Sequence, residues 1–235
     1  MPNITEREFK HLKVVPATPV IGGTVEGLHL SELNDESAAD LREALWHYGV
    51  LFAREQHLTF EQQKRVALHF GEELERHSFG KTLADQGHPE VLVIEKYQSD
   101  KARTTTDIWH HDVTARRHPN IMSILQADEV PFGADTMWAS ATAAYDRLPD
   151  ALKLLFLNLD IEHDTVYMAL RHGYRAETSE LILRIANESP VIPEIQVRHQ
   201  WRRGDVALWD NYGTVHYGVT ADVGNSVRRL YRVAA

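Results

Sequence analysis

The stretch IQVRHQWRRGDVALWDNYGTVHYGV, residues 195–219, decides the fold. Ile195, Val197 and His199 alternate with Gln196, Arg198 and Gln200, the two-residue period of a strand with one buried face. Two more short apolar runs follow inside the same stretch, Val206–Asp210 and Val215–Val219. Working outward, the texture repeats at Ile121–Leu125, Thr136–Ala139 and Leu230–Val233, with helical interruptions near 141–157 and 179–189. Many short strands with inserted helices specify an α+β chain with a mainly β core. The expected form is a double-stranded β-helix, or jelly roll, rather than a doubly wound parallel sheet.

The first third is richer in helix. Asn34-Asp35 precedes an amphipathic run with Ala38, Leu41, Leu45 and Tyr48 on one face, and Gly49 closes it. Val50–Ala53 is a short apolar run of buried-strand type. Thr59 and Gln62 form a capping box for a second helix expected to end at Gly71, and Val91–Ile94 is a further buried strand. No repeat, low-complexity block or linker interrupts the chain, so residues 1–235 are expected to form one domain.

Composition removes whole classes of function. The 235 residues carry 25 Lys+Arg against 34 Asp+Glu, a formal charge of −9, which argues against a nucleic-acid partner. With no cysteine there is no disulfide framework, zinc ribbon, iron–sulfur cluster or thiol nucleophile. No apolar run reaches the length of a membrane span, and the N-terminal text is not a secretory signal, so a cytoplasmic location with no membrane partner is expected. Fourteen histidines remain, and a transition-metal site here must use nitrogen and oxygen ligands.

The most specific local text is Trp109-His110-His111-Asp112-Val113. At a strand end, His110 and Asp112 stand at i and i+2 and share a face, while His111 points away. His216 is the candidate for a third ligand. Two histidines and one carboxylate make the facial triad of non-haem Fe(II) oxygenases, with three positions left open. Near the C-terminus, Arg228 and Arg232 fall on one face of a strand and Arg229 on the other. Two inward guanidiniums require anionic partners.

Together these segments resemble the taurine dioxygenase / 2,4-dichlorophenoxyacetate dioxygenase (TauD/TfdA) family of Fe(II)/2-oxoglutarate-dependent oxygenases. The resemblance rests on WHxDV at 109–113, GxDTxW at 133–138, GDxALWDN at 204–211, His-Tyr at 216–217 and Arg-x-x-x-Arg at 228–232. It implies an enzyme using Fe(II), 2-oxoglutarate and O2, with His110, Asp112 and His216 as metal ligands. Arg228 and Thr136 would hold the distal carboxylate of 2-oxoglutarate. Arg232, His77 and Thr106 would face a small organic anion: a sulfonate, sulfate ester, aryloxyalkanoate or carboxylate. Asp112 favours hydroxylation, because halogenating relatives lack that ligand. The implied reaction hydroxylates a C–H bond and releases succinate and CO2.

The resemblance also implies a homo-oligomer, dimer or tetramer. Thr106 stands where taurine-type relatives carry asparagine, which points to a larger or amine-free anion. From His163 to Ser179 the chain is shorter than the family leads one to expect. The active-site cover near 164–179 is therefore either trimmed or lacks a loop, and the family-like text on both sides favours the latter. Trp109, Trp138, Trp209 and Tyr145 are candidates to line the cavity, with core filling expected for at least two, and Asp210 and Asn211 could orient His216. Two readings from other classes compete: a zinc-dependent hydrolase on the same triad, and a non-catalytic jelly-roll binding module.

Overall fold

The computed structural model describes residues 4–77, 80–97, 109–114, 116–157, 159, 192–219 and 226–235. The N-terminal part lays down β1 (Arg7–Glu8), β2 (Lys13–Pro16) and β3 (Gly23–Glu26), then α1 (Asp35–Tyr48) and β4 (Val50–Ala53). Next come α2 (Phe60–Leu68), β5 (Thr82–Leu83) and β6 (His88–Lys96). The rest supplies β7 (Met122–Glu129), β8 (Thr136–Ser140), α3 (Ala141–Asp146) and α4 (Asp150–Phe156). It continues with β9 (Gln196–His199), β10 (Val206–Asp210), β11 (Thr214–Gly218) and β12 (Arg228–Ala234).

Both N-terminal helices begin where their capping chemistry puts them. Asn34 accepts from the Glu36 and Ser37 amides, and Ser37 returns a bond to the Asn34 backbone; Thr59 and Gln62 do the same for α2. Each such cap is worth about 1 kcal/mol. Gly49 closes α1 at φ 72°, a conformation glycine adopts without steric cost. The second helix stops at Leu68, short of Gly71, because its last turn tightens into 3-10-type bonds, His69 N–H to Val66 O and Phe70 N–H to Ala67 O. The strands at 7–26 escape the period-2 reading because they are only two to four residues long and β2 ends on a proline.

The strands form two sheets. Nine run in the order β1-β2-β3-β4-β10-β7-β12-β6-β5, and three in the order β11-β8-β9. Every described pairing is antiparallel except β3 with β4. The middle of the large sheet is buried on both faces, which explains apolar runs such as Val50–Ala53 that do not alternate. Leu51, Ala53, Ile124, Val206 and Leu208 pack under Leu41, Leu45, Val66 and other residues of the two helices. On the opposite face, Val50, Phe52, Leu125, Ala207, Trp209 and Leu230 meet Trp138 and Val197 of the small sheet. This face between the sheets also carries Arg228, Arg232 and Ser123. Their buried positions on β12 and β7 continue the alternation set by Leu230 and Leu125.

Two sheets enclosing one core, with helices on the outside, is the jelly-roll arrangement expected from residues 195–219. Among the described residues, no helix is long and apolar enough to cross a membrane. The expected interruption near 141–157 is two helices, α3 and α4, with a break at 147–149. The helix expected near 179–189 and the shortened cover near 164–179 lie outside the described residues, as does Thr106.

Candidate metal centre

Three potential ligands converge from two distant segments. His110 and His216 form an isolated antiparallel bridge, His110 N–H to His216 O at 3.0 Å and His216 N–H to His110 O at 2.9 Å. Their ring centroids lie 4.0 Å apart. One residue further on, the chain leaves strand geometry, and Val113 sits at φ 47°. For a β-branched residue that left-handed conformation carries a steric cost. A single side chain holds it. The Asp112 N–H donates to Asn211 Oδ1 at 2.9 Å, and Asn211 Nδ2 donates to the carbonyls of Asp112 at 2.9 Å and Asn120 at 3.1 Å. The convergence of His110 and Asp112 therefore comes from a bridge followed by a clamped bend, not from the regular strand end that the spacing suggested.

His110, Asp112 and His216 each offer one ligand atom, and these atoms all lie within 4.8 Å of one another. Ser123 Oγ donates to Asp112 Oδ2 at 3.0 Å, leaving Oδ1 facing His216 Nε2 at 3.8 Å. Burial pushes the Asp112 carboxyl upward, but Arg232, His216, His110 and the Ser123 bond outweigh it and keep Asp112 ionised. Burial, reinforced by His110, drives His216 well below the ordinary imidazole value, so it is neutral. An ionised carboxylate and a neutral imidazole are the forms that bind a metal. Among the described residues, His216 Nδ1 is buried with no hydrogen-bond partner, and Nε2 is beyond hydrogen-bond reach of Asp112. The donor set and the unspent imidazole fit a divalent transition metal with open positions.

Two inward positions of β12 build what surrounds the triad. Arg228 is buried; its Nε donates to Ala134 O at 3.2 Å and its Nη2 to Thr136 Oγ1 at 3.0 Å. Thr136 Oγ1 also accepts from Trp201 Nε1 at 2.9 Å. With both acceptor sites of the hydroxyl used, its own proton is available to an outside acceptor. Trp201 had no role in the sequence reading, although it closes the same half-buried strand run that opened it.

Arg232 is likewise buried, but it is already engaged. Its Nη1 is ion-paired with Asp112 Oδ1, and its Nη2 donates to Glu75 Oε2 at 2.7 Å. Glu75 is buried too; it accepts from Asn120 Nδ2 at 2.7 Å and has Arg116 Nη2 at 3.6 Å from Oε1. The expectation of an open anion clamp at Arg232 therefore needs amending, because two carboxylates of this chain share it. Glu75 was missed in the sequence; its signal was the i, i+2 relation to His77, which puts both on one side of an extended segment. His77 is half-buried, and its titration is lowered by burial first and then by Arg232, so it is neutral. The Gly80 N–H donates to its Nδ1 at 2.9 Å, which places the ring proton on Nε2.

The remaining candidates separate cleanly. His111 points elsewhere, with Nδ1 2.9 Å from Asn211 O. Asp210 and Asn211 do not orient His216. Asp210 caps its own turn, accepting from the Tyr212 amide and, through its carbonyl, from Thr214 Oγ1, while Asn211 serves Asp112. Trp138 and Trp209 are fully buried core, Tyr145 is exposed, and Trp109 tilts against Tyr217 at 5.6 Å.

Comparison with known proteins follows the same lines. The model of the family described as "Taurine catabolism dioxygenase TauD, TfdA family" matches residues 13–182 and 167–234, in two pieces that overlap at 167–182. An alkylsulfatase of Acinetobacter baylyi is 28% identical over 286 aligned positions, covering 99% of this chain and 87% of that one. An alpha-ketoglutarate-dependent sulfate ester dioxygenase of Pseudomonas putida is 29% identical, with 94% and 88% covered. Among solved structures, a taurine dioxygenase from Burkholderia xenovorans superposes with a TM-score of 0.76 at 30% identity, covering 95% of this chain and 90% of that one.

Proposed function

This chain belongs to the TauD/TfdA family of dioxygenases, and from that premise we propose that His110, Asp112 and His216 hold the iron of an Fe(II)- and 2-oxoglutarate-dependent dioxygenase acting on a small organic anion. The observation that carries the assignment is the convergence of three ligand atoms beside a buried arginine–threonine pair. When bound, the metal with 2-oxoglutarate and O2 supplies the oxidising power that hydroxylates a substrate C–H bond, releasing succinate and CO2.

The chain's own residues bind, orient and shield. Arg228 and the outward proton of Thr136 grip the distal carboxylate of 2-oxoglutarate; in a zinc-hydrolase reading this pair has no task. A buried guanidinium with a hydroxyl beside it is a strong, geometrically selective carboxylate site. Trp201 fixes the Thr136 hydroxyl from behind. Arg232 and His77 face the primary substrate, His77 through its Nε2 proton. Sulfate esters, sulfonates, aryloxyalkanoates and carboxylates all suit that chemistry, and two of the relatives are named for sulfate esters. Arg232 reaches such an anion only by sharing its charge with Glu75.

The test is anaerobic. Fe(II) and 2-oxoglutarate added together should give a weak visible charge-transfer band that His216→Ala abolishes. A panel of sulfate esters, sulfonates and aryloxyalkanoates, screened for succinate release, then names the substrate class. Tight zinc retention without the band would overturn the proposal.

A further inference from the structure

Arg232 presents a problem that the triad alone does not solve. Its Nη1 is ion-paired with Asp112 Oδ1, and Oδ1 is the carboxylate oxygen that faces His216 Nε2 at 3.8 Å, the other oxygen being taken by Ser123. Metal and guanidinium therefore want the same atom. A buried arginine displaced by a divalent cation, with no other anion in reach, would be an unpaired buried charge beside a second positive charge.

The structure holds an unused solution. Arg232 Nη2 already donates to Glu75 Oε2. Among the described residues, Arg232 Nε is buried without a hydrogen-bond partner, and so is Glu75 Oε1. Nε and Nη2 lie on one edge of a guanidinium, and a carboxylate grips that edge through two parallel bonds. One of the two bonds is made; its missing half is one orphan donor and one orphan acceptor belonging to the same pair. Asn120 Nδ2, at 2.7 Å from Oε2, and Arg116, at 3.6 Å from Oε1, hold Glu75 in place.

We infer that Glu75 is a positioning residue for the metal centre: it draws Arg232 off Asp112 into a two-bond pair as the metal takes Asp112 Oδ1. The inference rests on the proposed triad. It gives the two-carboxylate fork a purpose, since Asp112 and Glu75 share Arg232 before the metal arrives and Glu75 holds it alone afterwards. It also orders events at the site. Once Nη1 has left Asp112, it is the free edge of the guanidinium, so metal loading prepares Arg232 to receive the anion of the primary substrate.

The experiment is a double-mutant cycle read by metal binding, not turnover, on the full chain under anaerobic conditions with Fe(II) and, separately, Co(II). Glu75→Gln should weaken metal binding about tenfold, the scale typical of groups that orient a ligand from outside. Arg232→Met should bind at least as tightly as the parent, because the competitor for Oδ1 is gone. Adding Glu75→Gln to Arg232→Met should then cost nothing. Equal weakening in both backgrounds would make Glu75 merely structural and overturn the inference, as would unchanged binding in a folded Glu75→Gln protein. If Glu75→Gln fails to fold, Arg232→Lys reads the same device. It keeps the charge but loses the fork, so tenfold weakening is expected and parent-like binding refutes it. Failure of the parent chain to bind either metal, or retention of binding in His216→Ala, would instead refute the triad itself.

Discussion

Two buried clusters in this molecule use the same three residue types and end up as opposites. In one, Asp205 accepts from Arg54 Nη1 and from the Arg202 amide at 2.7 Å, and stands 3.5 Å from His199 Nε2. Arg54 also donates to Gln200 O at 2.8 Å, and His199 is stacked on Phe52 at 4.3 Å. None of the buried side-chain atoms of this cluster lacks a partner. The other cluster is Asp112, Arg232 and His216 with Glu75, and among the described residues it leaves three buried atoms without a hydrogen-bond partner: His216 Nδ1, Arg232 Nε and Glu75 Oε1. Native interiors rarely tolerate such atoms, because each costs roughly 1–3 kcal/mol. A histidine, aspartate and arginine in contact thus mean scaffold where every bond is made and site where bonds are held in reserve.

The largest effect should come from crossing the two. His216→Ala is expected to abolish metal binding and succinate formation while leaving the melting temperature within a few degrees, since it deletes an unsatisfied group. Asp205→Asn should do the reverse, costing about 2–3 kcal/mol in urea unfolding by stranding Arg54 and His199, with the charge-transfer band retained. A band lost in Asp205→Asn, or a collapsed fold in His216→Ala, would erase the distinction. Next in size is Asn211→Ala. It frees the Asp112 peptide and lets Val113 relax from φ 47°, so metal affinity should drop about 10- to 100-fold, measured by titration of Fe(II) into the protein with 2-oxoglutarate.

The smallest effect concerns pH. Burial is the main cause that lowers the titration of His199 from its ordinary 6.5, against the opposing pull of Asp205. As pH falls, the unfolded chain takes up this proton before the folded one does. Stability is therefore fully present above about pH 6.5 and drains away as pH drops below it. His199→Phe, which keeps the stacking on Phe52, should flatten that acid limb in urea midpoints measured from pH 7 to 5. An unchanged limb would place the acid sensitivity elsewhere.

How much of this was legible beforehand follows from the range of each interaction. Caps at Asn34 and Thr59 speak to residues three positions away, and the alternation of Ile195, Val197 and His199 is local, so helices and central strands could be read directly. The triad was legible because the HxD text is compact and His216 carries a recognisable surrounding phrase. Its supports were not. Asn211 reaches Asp112 across 99 positions and Glu75 reaches Arg232 across 157, and nothing in the periodicity of either segment announces a partner so remote. The strands at 7–26 were hidden for another reason: they are short and take their order from successive pairings that reach β4 through β3, not from any pattern of their own.

The His110–His216 bridge has a consequence for how the chain comes to life. It is two hydrogen bonds between segments about a hundred residues apart, and His110 lies outside the named strands. Contacts of that separation form late, after the loop between them has been closed by the rest of the fold. A nascent or half-folded chain accordingly possesses the histidines but not the site. Assembly is its own safety catch: the chain can arm its oxidising chemistry only once the barrel that will contain it has shut.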